Sequence, residues 1–156
     1  MNKILVGADD AVGAWVMDRQ QNPGGWIPGR GYGFGVTSKD ELIGGAVFDS
    51  WNGTSLHLHV AGDAKRNWIS KAFLAIVFDY PFNQLGVKKI ICQIGEGNAA
   101  SRRFCSHIGF KLEATLSEAH PDGMLLVYTM TREQCRWLSL AEKEPWRVKT
   151  ESPRRT

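Results

Sequence analysis

The sequence predicts a mixed α+β domain around one twisted sheet, and three observations carry that prediction. Residues 32–61 hold three apolar runs separated by turn signals, which read as antiparallel strands. Ile69, Ala72, Phe73, Ile76, Val77 and Tyr80 recur at helical spacing and form one apolar stripe. Residues 88–116 read as strand, helix, strand. At 156 residues the chain is long enough for one domain with its own core.

Composition narrows the function classes. A net charge of +3 leaves an anionic ligand comfortable without itself arguing for nucleic acid. Six Trp exceed what packing needs, so some are free to line a site. Cys92, Cys105 and Cys135 are odd in number and form no C-x-x-C pair. That disfavours a disulfide framework or a metal site and fits a reducing, cytoplasmic compartment. Met1–Gly7 is too short an apolar run for a signal peptide, and no stretch is long enough to cross a bilayer, so no membrane partner is expected. There is no internal repeat.

In chain order, Lys3–Gly7 reads as a first strand. Ala8–Gln20 reads as a helix with Val12, Trp15, Val16 and Arg19 on one side. Residues 22–32 are a loop rich in Gly and Pro around Trp26. Tyr32–Thr37 and Glu41–Trp51 form a hairpin turned at Ser38-Lys39-Asp40. Asn52-Gly53 then signals a second tight turn, because both residues tolerate positive φ. In the strand Thr54–Ala61, Leu56, Leu58 and Val60 share one face and His57, His59 and Ala61 the other. The two histidines read as metal ligands, as a polar cleft lining, or as core residues. No third ligand lies nearby in sequence, which disfavours metal.

Gly62–Asn67 is a loop, and the helix after it runs from Ile69 until Pro81 ends it. A strand, a tight loop and a helix N-terminus make an anion site, since free N–H groups and the helix dipole converge there. The alternative is a plain basic surface loop. The strand Lys88–Ile94 leads into a helix marked at both ends, with Asn98 as N-cap and Gly109 as C-cap. Ala100, Phe104 and Ile108 give it an apolar stripe. A strand over Lys111–Leu116, a loop over Ser117–Gly123 and a strand over Met124–Met130 follow. Thr131–Leu138 reads as a short helix with a Thr131/Gln134 capping box. The domain is expected over 1–143, with a basic, flexible tail over 144–156.

The run Asn98-x-x-Ser101-x-x-Phe104-Cys105-x-x-Ile108-Gly109-Phe110 resembles the late N-x-x-A-x-x-L-Y-x-x-L-G-F motif of the GCN5-related N-acetyltransferases, the GNAT superfamily. The resemblance continues through Leu112–Glu118 and Asp122-Gly123 into the strand ending at Met130. It covers about half of the chain, and its ending is similar to the small bacterial and phage-type proteins and to the branch acting on protein N-termini, small amines and antibiotics. The resemblance implies a single domain whose mostly antiparallel central sheet has splayed central strands and is flanked by helices. Acetyl-CoA is then the expected co-substrate, with no metal. The implied acceptor is an amine on a small molecule, a protein N-terminus, a lysine or a nucleobase, and the protein can be a homodimer. The loop over 22–32 is then either a connector over a buried Trp26 or a wall of the acceptor pocket.

In register with the family's pyrophosphate loop, Q/R-x-x-G-x-G/A, stand Lys65, Arg66, Asn67, Trp68, Ile69 and Ser70. Lys65 holds the first position and Ser70 the last, but Trp68 replaces a glycine. An indole must turn away where glycine lets the backbone approach phosphate, so either the loop is one residue differently shaped or the Trp covers the cofactor. Val60, at the splayed strand, and Asn98 and Ser101, at the opened helix, complete the implied cofactor site.

The implied reaction is direct attack of a neutral amine on the thioester. A free lysine titrates near about 10.4, so a base is expected. His57, His59, Glu118 and His120 are the candidates, with His59 and Glu118 retained as catalytic. The family's Tyr, which protonates the departing thiolate, is replaced by Cys105. That thiol is either the acid or a packing residue, with the thiolate leaving unaided. Two other functions remain open: a GNAT-fold DNA-modifying or nucleic-acid-binding protein of phage origin, and a CoA-binding module without catalysis.

Overall fold

The computed structural model describes residues 1–141; the expected boundary at 143 and the tail over 144–156 lie outside the described residues. Seven strands make one sheet: β1 (Asn2–Val6), β2 (Tyr32–Ser38), β3 (Glu41–Asp49), β4 (Ser55–Gly62), β5 (Lys89–Gly95), β6 (Lys111–His120) and β7 (Gly123–Thr131). Their order is β1-β2-β3-β4-β5-β7-β6. Every neighbouring pair is antiparallel except β4 with β5. The helices are α1 (Asp9–Arg19), α2 (Lys71–Asp79), α3 (Ala99–Ile108) and α4 (Leu138–Ala141). The expected α+β architecture and element order are both present.

Local chemistry explains the turns. Lys39 and Asp40 both take positive φ, 51° and 65°, the two-residue geometry whose twist suits a hairpin. Asn52 Oδ1 accepts from the N–H groups of Thr54 and Ser55, which ties the β3–β4 connection. Gly109 takes φ 112° as the left-handed C-cap of α3.

The sheet is covered unequally. The main core gathers Leu56, Leu58, Phe73, Phe78, Ile90 and Ile108 under α2 and α3. The opposite face packs Val47 against Val12, Val16 and Met17 of α1. Burying such side chains contributes about 1.5–3 kcal/mol each.

Several boundaries differ from expectation. Pro81 does not end the helical run; the chain passes from α2 into a π-helical turn over Tyr80–Gln84, with Asp79 accepting from Asn83 and Gln84. The expected loop over 117–123 is mostly strand, because β6 runs to His120 through two register shifts against β7. The expected helix over 131–138 is a 3-10 turn, Arg132–Gln134, although its capping box forms. On α1 the buried face is Val12, Gly13, Val16 and Met17; Arg19 instead stacks on Trp15 at 3.7 Å. On α3 the buried residues are Cys105 and Ile108, and Ala100 is exposed.

Candidate active site

β4 and β5 lie side by side for three residue pairs only: Ser55 with Lys89, Leu56 with Ile90, and His57 with Ile91. Beyond them β4 stays paired to β3 as far as Gly62, and β5 stays paired to β7 as far as Gly95. The two strands therefore part, and a gap opens at the centre of the sheet. On its rim the Val60 carbonyl accepts from Gln20 Nε2 at 2.8 Å. An apolar crevice lies against this unpaired stretch, lined by Leu58 and Val60, by Trp68 and Phe73, and by Phe104 and Ile108 of α3.

Two helix N-termini flank the crevice's elements. Ser70 caps α2 by accepting from Phe73 N at 3.0 Å. Helix geometry leaves the N–H groups of Lys71 and Ala72 without an intrahelical acceptor. The preceding loop is a built turn. Asp63 Oδ1 accepts from Lys65 N at 3.0 Å, and Asp63 Oδ2 lies 3.4 Å from Arg66 Nε. Lys65, Arg66, Asn67 and Ser70 are exposed, and Ile69 is half-buried. Trp68 turns inward. Its indole meets Phe73 edge-on at 5.5 Å and lies on Gly44 and Gly62, where any Cβ would sit about 2 Å from the ring. The indole thus turns away from the loop surface and into the crevice wall.

At α3, Asn98 Oδ1 accepts from Ser101 N at 3.1 Å, so Asn98 is the N-cap and Ser101 is half-buried one turn on. Cys105 is buried, with Sγ donating to Cys92 Sγ at 3.6 Å. Cys92 is the first residue of β5 beyond the last pair with β4. The hydrogen bond with Cys105, together with burial, pushes the Cys92 thiol well above its ordinary range.

The other face of the gap is polar. His57 and His59 alternate with buried Leu56 and Leu58, so they share the face of α1. His59 lies across from Val47 and His57 across from Asp49. His59 Nε2 is 2.9 Å from Asp49 Oδ1. Burial opposes charge on Asp49, but the hydrogen bond from His59 and the potential of both imidazoles outweigh it and hold the carboxyl below its ordinary range. Burial pushes the His57 imidazole down, partly offset by Asp49.

At the far end of β5, His120 and Asp122 stand where a Gly95 side chain would point. His120 Nδ1 accepts from Asp122 N at 3.1 Å. Glu118 lies apart from both clusters' hydrogen bonds, exposed at a positive φ of 56° on the β6 bulge. Trp26 is pinned on α1: its Nε1 donates to Asp10 Oδ1 at 3.0 Å, and the same oxygen accepts from Gly29 N. Among the described residues no group of three or more His, Cys, Asp or Glu is gathered for a metal. None of the described helices is long and apolar enough to cross a membrane.

Asp49 is the residue that sequence reasoning missed. It ends β3, separated from the histidines by a turn, and only the hairpin register brings it to them. The antiparallel count back from Asn52-Gly53 was the available signal.

A family model described as an acetyltransferase (GNAT) domain matches residues 7–111. The chain belongs to the GNAT acetyltransferases. The match spans the α1 face, the splayed strands, the loop over 62–70 and all of α3. Solved GNAT structures have the same fold. A GNAT-family acetyltransferase from Bacillus anthracis is 19% identical over 65% of this chain and 66% of its own, with a TM-score of 0.55. The N-acetyltransferase PseH from Campylobacter jejuni, solved with acetyl coenzyme A, is 12% identical over 67% and 70%, at 0.52. A variant of the spermidine N-acetyltransferase SpeG from Vibrio cholerae is 14% identical over 90% and 99%, at 0.66. This chain thus spans about two thirds of the first two and nearly all of the third. No curated protein sequence matches it.

Proposed function

We propose that this GNAT protein transfers the acetyl group of acetyl-CoA to an amine. The parting of β4 and β5 beside the N-termini of α2 and α3 carries the reading. Lys65, Arg66, Asn67 and the α2 N–H groups after Ser70 hold the pyrophosphate. Trp68 and Ile69 support that loop from below, and the gap between β4 and β5 takes the pantetheine chain. Val60, Asn98 and Ser101 contribute from the gap's rim and the mouth of α3. His59 takes a proton from the amine nitrogen. The neutral amine then forms the N–C bond as the C–S bond breaks. The proton the nitrogen sheds on becoming an amide is balanced by the one the departing thiolate receives from Cys105 or from water.

The buried, Cys92-bonded position of Cys105 favours water as the proton source, because that thiol is packed rather than poised at the surface. Glu118, on the β6 bulge, serves as an outer relay for the proton. The domain over 1–143 is sufficient for the reaction, as a small bacterial or phage-type enzyme of the cytoplasm, and the tail over 144–156 is accessory.

Calorimetry with acetyl-CoA tests this. Micromolar binding weakened by Lys65→Ala, followed by thiol release with a polyamine, a peptide N-terminus, a lysine or a nucleobase, is the expected result. No binding at millimolar cofactor would sink the reading, and binding without thiol release from any acceptor would leave a CoA-binding module.

A further inference from the structure

The geometry points to Asp49 as a positioning residue for the acetyl transfer: its carboxylate holds His59 in the tautomer whose free Nδ1 takes the amine proton. The inference rests on the acetyl-transfer reading and deepens it, naming the group that sets the base's orientation.

A carboxylate accepts and does not donate. The 2.9 Å contact between Asp49 Oδ1 and His59 Nε2 therefore places the ring proton on Nε2 and leaves Nδ1 with its lone pair. His59 stands two residues past the last pair of β4 with β5, beside the gap. Both side chains are about three-quarters covered, at 23% and 28% exposure, so the pair is sheltered from screening yet reachable. A carboxylate behind an imidazole holds the ring in one tautomer and one orientation.

The charged groups on neighbouring elements have other engagements. On α1, Asp9 accepts from Gly33 N, Asp10 from Trp26 and Gly29, and Arg19 lies over Trp15, with Asp18 exposed at the helix end. On β5, Lys89 is bonded to Glu113 of β6, and beyond Gly95 His120 is bonded to Asp122. His57 is the second imidazole on the face; burial pushes it toward its neutral form, partly offset by Asp49, and the hydrogen bond to the carboxylate is made by His59.

The test is 15N NMR of histidine-labelled protein combined with kinetics. In the wild-type protein at pH 8 the expected His59 signal is a protonated Nε2 and a bare Nδ1. Asp49→Asn retains an acceptor but not the charge. Its amide N–H can donate to Nε2, so the ring proton should move to Nδ1 and kcat should fall at least about tenfold. Thiol release from acetyl-CoA with spermidine and with a tripeptide N-terminus reads the kinetic arm. The KM for acetyl-CoA should not move, since Asp49 lies on the face away from the crevice. A wild-type His59 ring protonated at Nδ1, or an Asp49→Asn protein with tautomer and kcat unaltered, overturns the role of Asp49 and leaves the acetyl-transfer reading standing. Failure of the wild-type protein to bind acetyl-CoA overturns that reading and the base role with it.

Discussion

The two faces of β4 meet different surroundings. Leu56 and Leu58 point into the main core under α2, where they are fully or nearly fully buried. His57 and His59, alternating with them, are half-buried on the α1 face against Asp49. One strand thus supplies both the apolar wall of a crevice and a titrating pair, because its side chains alternate by geometry. The consequence is a division of labour: even positions should answer to denaturant and odd positions to pH.

The largest expected effect lies on the apolar face. Leu58→Ala removes a core side chain beside the crevice and should cost about 2–5 kcal/mol, read as a lower urea midpoint with an unchanged slope. His59→Ala should cost much less stability while abolishing most of the turnover. Equal stability losses at both positions would dissolve the division.

The next effect sharpens the apolar side. Gly44 and Gly62 leave room for the Trp68 indole, and a Cβ at Gly44 would lie 2.1 Å from its ring. Gly44→Ala should cost about 1–3 kcal/mol by overpacking. Combined with Trp68→Leu, the pair should lose less than the sum of the single losses, since the shorter side chain vacates the space. Strict additivity in urea melts would mean that the indole does not occupy that surface.

This pair also shows what the sequence could convey. Trp68 in a loop that resembles a glycine-bearing phosphate loop is a visible departure. Nothing local says where its ring goes, because the glycines that receive it lie on β3 and at the end of β4. The same holds for Asp49, whose partner is chosen by strand register. By contrast Ser70, Asn98 and Gly109 cap their helices as spacing alone predicts, since capping is settled within a few residues. The antiparallel meander and the two long helices were legible for the same reason. The length of β6 and the π-helical turn after Asp79 were not, because bulges and tertiary hydrogen bonds decide them.

Asn98 stands where the apolar crevice's helix begins, and its substitution should have a smaller, double effect. As an N-cap, Asn98→Ala should cost about 1 kcal/mol of stability. As a contact at the mouth of α3 it should also weaken acetyl-CoA affinity beyond what the folding loss explains. A lowered melting temperature with unaltered affinity would reduce Asn98 to a cap, and Asn98→Ser, which caps as well, would then be silent in both assays.

The smallest effect belongs to the polar face and is set by sign. Burial holds His57 below its ordinary value of 6.5, so the fold prefers the neutral ring. Its share of stability is present above 6.5 and is lost as pH falls through the lower folded value. Asp49 is held below its ordinary value of 3.8, against the pull of burial, by His59 and His57. Its share is present above 3.8 and is lost only in stronger acid. Asp49→Asn acts on the two windows in opposite directions. It removes the charge that partly offsets the depression of His57, so the loss just below 6.5 should deepen. It also removes the titrating carboxyl, so the loss below 3.8 should shrink. Each change should stay under about 1 kcal/mol, because both groups are partly exposed and solvent screens them. Urea midpoints at pH 7.5, 5.5 and 3.5 separate the windows, since the variant should lie furthest below the wild-type protein at the middle value. A constant offset between the two proteins at all three values would mean that Asp49 and the histidines do not share their charge, and the polar face would then be a surface like any other.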